Sequence, residues 1–85
     1  MKATYYKIVD RDMKPFNVLA AVSSEKGTAL LVYNRTTEVW YPSPNGPAYL
    51  MGTSTYDIYP VDESEAAVIA GGMGTSLDDI AKVFD

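Results

Sequence analysis

The chain reads as a small α+β protein: an antiparallel sheet of four or five strands joined as a hairpin meander, with two short C-terminal helices packed on one face. Three observations predict this. Short β-branched and aromatic runs alternate with turn residues as far as Pro60. The apolar spacing becomes helical only beyond Asp62. Eighty-five residues leave no room for a second independent core, so residues 1–85 are expected to form one domain.

The first strand is expected over Thr4 to Val9 (TYYKIV), with Tyr6 and Ile8 on one face and Tyr5, Lys7 and Val9 on the other. The charged segment from Asp10 to Pro15 ends it. Val18 to Ser23 and Thr28 to Asn34 are two apolar runs joined by Ser24-Glu25-Lys26-Gly27, a polar connection closed by glycine, and form the strongest hairpin signal. A second tight turn at Asn34 to Thr37 leads into Glu38 to Tyr41, which makes Tyr33 and Trp40 neighbours across two antiparallel strands. Three prolines, Pro42, Pro44 and Pro47, within six residues predict an irregular loop. Ala48 to Met51 fits a helical turn, and Tyr56 to Tyr59 a last short strand stopped by Pro60.

Asp62-Glu63-Ser64-Glu65 has capping-box spacing and predicts a helix from Glu63 to Ala70, ended by Gly71-Gly72. Thr75 and Ser76, followed by Asp78 and Asp79, start another helix. In it Leu77, Ile80, Ala81 and Phe84 fall at i, i+3, i+4 and i+7, and Asp78 and Lys82 at i, i+4.

The composition excludes several chemistries. Cysteine and histidine are both absent, which removes disulfides, thiolate and imidazole metal sites, and the ordinary Ser-His and Cys-His mechanisms. Neither a metal nor a cofactor is expected. Ser23 to Lys26 matches S-x-x-K literally but lies across a predicted hairpin turn, where serine serves the turn. No catalytic residue is assigned, and the protein is expected not to be an enzyme.

Charge narrows the partners. The net charge is −4, with residues 1–56 at +2 and residues 57–85 at −6. Such a chain repels phosphate backbones, so nucleic acid is not an expected partner and a protein with a basic surface is. The apolar runs are far too short to span a bilayer, and Met1-Lys2 is not followed by a signal-peptide core. No membrane partner and a cytoplasmic location are expected.

Seven tyrosines and one tryptophan are many for this length, and such rings supply contact area at low entropic cost. The preferred reading is therefore a binding module that acts by occupying a partner protein's surface through Trp40, Tyr41, Tyr49 and Tyr33, or through its acidic helical face. Self-association through the same rings would also cover them. A modulator encoded by a phage or mobile element fits this physics. The alternative is a small-ligand or anion-binding domain built on the Gly71 to Ser76 segment, with Gly72, Gly74, Thr75 and Ser76 presenting donors at a helix N-terminus. It lacks the lysine and the preceding parallel strand of a phosphate loop.

Overall fold

The computed structural model describes residues 2–52 and 56–84, with the backbone alone for Phe84. Five strands, β1 (Lys2–Val9), β2 (Pro15–Ser24), β3 (Gly27–Asn34), β4 (Val39–Pro42) and β5 (Asp57–Val61), form one antiparallel sheet in the order β4-β3-β2-β1-β5. Helix α1 (Gly46–Met51) connects β4 to β5, and α2 (Glu63–Gly72) leads to a C-terminal 3₁₀ helix, Leu77–Phe84. The fold is the expected small α+β architecture.

The two predicted hairpins form. Ser24 pairs with Gly27 around the two-residue loop Glu25-Lys26, where Gly27 takes a φ of +129° that a side chain would resist. The next turn is held by Asn34, whose Oδ1 accepts from the backbone N–H groups of Thr36 and Thr37. Beyond it Tyr33 pairs with Trp40, their rings 5.6 Å apart. Between β1 and β2, Asp10 organises the reversal by accepting from the N–H groups of Asp12 and Lys14, while Met13 sits at a φ of 65°.

The ladder has a fixed parity. Ser43 N–H donates to the carbonyl of Leu30, so the even residues of β3 direct their backbone groups toward β4 and the odd ones toward β2. Carried through the registers, this points Lys2, Thr4 and Tyr6 of β1 at β2, and Ala3, Tyr5 and Lys7 away from it. In the edge strands Pro42 and Pro60 then fall where the backbone faces outward and no ladder donor is needed. Both prolines are therefore admitted to their strands: β5 continues through Pro60 to Val61, and β4 includes Pro42 as its last residue. The irregular loop shrinks to residues 43–45. Pro47 belongs to α1, at a first-turn position where an N–H would have no acceptor within the helix.

At one point a side chain replaces the ladder. Asn17 Nδ2 donates to the Tyr33 carbonyl at 2.9 Å, and its Oδ1 accepts from the N–H groups of Tyr33 and Val18. The amide occupies the gap where β2 and β3 separate beyond Ala20↔Leu31.

Each face of the sheet carries its own apolar cluster. On one, Val18, Ala20, Val22, Leu31, Tyr33 and Trp40 pack against Ala66 and Ala70 of α2 and Ile80 of the 3₁₀ helix. On the other, Ile8, Leu19 and Val32 are buried beneath a ring of partly exposed apolar residues, Tyr49 of α1 among them. The approach of α1 depends on Gly46, where a Cβ would lie 2.8 Å from Leu30 Cβ.

The C-terminal elements depart from expectation in two ways. Helix α2 starts as the capping box predicts, with Asp62 accepting from Glu65 N–H at 2.8 Å, but it includes Gly71 and Gly72. It ends two residues later in a Schellman arrangement. Gly74 has a φ of +85°, Thr75 N–H donates to the Ala70 carbonyl, and Gly74 N–H to the Gly71 carbonyl. The last element is a 3₁₀ helix with three residues per turn, so Leu77, Ile80 and Val83 face the core and Ala81 is exposed. The side chain of Phe84 lies outside the described residues. Lys82 accordingly pairs with Asp79 at i, i+3, at 3.0 Å, and not with Asp78.

Candidate functional site

The four aromatic residues expected to make one contact surface are divided by the sheet. Successive residues of a strand point to opposite faces, so adjacent Trp40 and Tyr41 cannot share one. Trp40 and Tyr33 lie under the C-terminal elements and are 4% and 6% exposed, which makes them core. Tyr41 and Tyr49 are half-buried on the opposite face, where Tyr41 pairs with Val32 and Tyr49 projects from α1.

That opposite face is thinly covered. Among the described residues its one helix is the six-residue α1, and Tyr6, Phe16, Leu30, Tyr41 and Ile58 remain partly exposed around the buried centre. Leu50 and Met51 of α1 are 48% and 74% exposed, and Tyr56 stands edge-on to Phe16 at 4.9 Å between ring centroids. Sequence reasoning missed Tyr6, Phe16 and Tyr56 as members of this surface. The alternation of Tyr6 with Ile8 was the available signal.

The segment from Gly71 to Ser76 is a joint between helices, and its donors are engaged. Trp40 Nε1 donates to Thr75 Oγ1 at 3.1 Å, and that hydroxyl donates to Asp79 Oδ2 at 3.0 Å. Ser76 N–H also points at Asp79 Oδ2, at 3.4 Å. The Asp79 carboxylate thus stands where an anion would have to bind, and Gly72 and Gly74 serve the termination of α2. The bond with Lys82, then those with Thr75 and Ser76, hold the Asp79 carboxyl below its ordinary pKa. Next to this network lies a groove of about 410 Å³ between Val39 and Val83.

A second groove, of about 520 Å³, runs beside the N-terminal half of β1 and is lined by Ala3, Tyr5, Val61, Asp62 and Glu63 among others. Burial, and then the negative charges of Glu63 and Asp78, raise the pKa of the Tyr5 phenol. Of the two carboxylates, Glu63 lines the groove itself. In the predicted hairpin turn, Ser23 Oγ lies 3.5 Å from Thr28 Oγ1 and the backbone N–H of Lys26 donates to Ser24 Oγ, which is turn chemistry. Among the described residues no group of three or more acidic side chains is placed to hold a metal ion. No helix among them is long and apolar enough to cross a membrane.

Compared with protein-family models, with curated proteins and with solved structures, the chain matches none of them.

Proposed function

We propose that this chain is a small non-enzymatic binding module that works by occupying the surface of a partner protein, using the sheet face that carries Tyr41 and Tyr49. One observation carries the reading. The face away from α2 keeps a ring of half-exposed aromatic and aliphatic side chains under a single short helix, while Leu50, Met51 and Tyr56 are exposed beside it. Rings with an apolar body and a polar tip are the side chains most enriched at protein contacts. Trp40 and Tyr33 support this surface from beneath the sheet and take no part in contact.

The net charge of −4 favours a partner whose surface is basic and disfavours nucleic acid. A module with neither imidazole nor thiol acts by contact, and inhibition or modulation of the protein it covers is the outcome such contact produces. Cytoplasmic action as an accessory protein of a phage or bacterium belongs to the same reading, and a cysteine-free chain is compatible with it.

The test compares the wild-type chain with Tyr41→Asp and Tyr49→Asp in affinity capture from an extract of the native host, after circular dichroism has verified the fold of each variant. A protein retained by the wild type and lost with both variants is the expected result. Equal retention by all three, or turnover of a substrate by the purified chain, would remove the reading.

A further inference from the structure

Among the described residues, β5 covers only part of the outer side of β1. Strand β5 leaves β1 after Tyr5↔Val61, where the chain turns through Asp62 into α2. Lys2, Ala3 and Thr4 therefore have β2 as a neighbour and, among the described residues, no strand on their other side. By the parity of the ladder, Ala3 directs both its N–H and its C=O to that open side. The groove of about 520 Å³ lies along this edge.

The charge beside the edge has one dominant sign. Asp62 and Glu63 line the groove, and Asp78 acts on Tyr5 from the side of the 3₁₀ helix. Lys7, further along β1, is already paired with Glu65 at 3.3 Å. Lys2 is the cation of the groove, but as the partner of Ser23 it belongs to the opposite face of the sheet.

We propose that the open edge of β1 accepts an extended basic segment of a partner protein as a sixth strand, bonded to Ala3 and held by the carboxylates of Asp62 and Glu63. The added strand lies end to end with β5. Residues directly opposite in a ladder share a face, so the residue facing Ala3 turns its side chain toward the start of α2, where the carboxylates are. A lysine or arginine there finds charge partners, and its stem lies along Tyr5 and Val61. Main-chain bonds with alternate side chains in pockets are the general mode of strand addition. A second copy of this chain would bring the same acidic rim against itself. The site is separate from the Tyr41 and Tyr49 face and stands whether or not that face binds.

The probe is a short fluorescein-labelled peptide of alternating lysine and valine, with its glutamate and valine counterpart, titrated against the full chain by anisotropy and by amide chemical shifts. The expected result is binding of the basic peptide alone, with shifts centred on Ala3, Tyr5 and Glu63 and affinity falling as salt rises. Glu63→Lys should weaken it by about tenfold or more. Ala3→Pro should do the same, because it removes the outward N–H and leaves the bonds of Lys2 and Thr4 to β2. Should Ala3→Pro unfold the chain, a basic peptide N-methylated at the residue facing Ala3 makes the same cut, and it should fail to bind the wild type. The proposal is overturned by equal binding of the acidic peptide, by no binding of the basic one, by indifference to removal of the backbone donor, or by loss of binding in Tyr41→Asp.

Discussion

Trp40 and Thr75 are 35 positions apart, and the indole N–H of one donates to the hydroxyl of the other at 3.1 Å. This bond ties edge strand β4 to the joint between α2 and the 3₁₀ helix. Removing either partner leaves a part-buried polar group without its mate, which costs about 1–3 kcal/mol. Trp40→Phe and Thr75→Val should each lower stability by an amount in that range in urea denaturation. Together they should cost less than the sum of the two, because the second substitution has no bond left to break. Strict additivity would show that the bond contributes nothing.

Asp79 gives the same joint a dependence on acid. Its pKa is depressed in the folded chain by Lys82, Thr75 and Ser76, so the stabilisation is complete above the ordinary aspartate pKa and is lost as pH falls through the lowered value. Asp79→Asn should therefore melt below the wild type at neutral pH, and the two curves should converge in strong acid. Thermal melts across that range provide the comparison; a constant gap down to the lowest pH would contradict it.

Two glycine-to-alanine substitutions should have opposite signs. At Gly46 the new methyl meets Leu30 Cβ at 2.8 Å and Cδ1 at 3.0 Å, and Cβ cannot swing away, so α1 must shift. A loss of about 1–3 kcal/mol is expected, as for other overpacked sites. At Gly71, inside α2, nothing lies within 4 Å, and alanine should add up to about 1 kcal/mol through helix propensity. Denaturant midpoints decide both.

Asn17→Ala should be among the more damaging polar substitutions. It strands the N–H and C=O of Tyr33 and the N–H of Val18 at a part-buried position. Hydrogen exchange reads the effect directly: the Tyr33 and Val18 amides should exchange much faster in the variant while those of Ala20 and Leu31 stay protected. Uniform acceleration would mean global destabilisation instead.

Much of the fold was legible because local chemistry determines it. The Gly27 hairpin, the Tyr33–Trp40 pairing and the Asp62–Glu65 cap each depend on residues close in sequence. The prolines were misread as strand ends because their tolerance depends on which way the backbone faces in a ladder, and that parity follows from the neighbouring strand. The last helix satisfied two periods at once: Leu77 and Ile80 belong to both, and only packing selects Val83 over Ala81. The candidate contact residues were grouped by nearness in sequence, although alternation already separates Trp40 from Tyr41. Asn17 carried no signal, since its role exists only where two strands part.

Pro42 and Pro60 place a residue without an amide hydrogen in the outermost strand on each side of the sheet. Cross-β growth requires an unbroken row of donors for the next molecule to copy, and here the row is interrupted on both flanks. The same geometry that admits the prolines therefore makes the molecule a poor seed for fibrils, even when crowded.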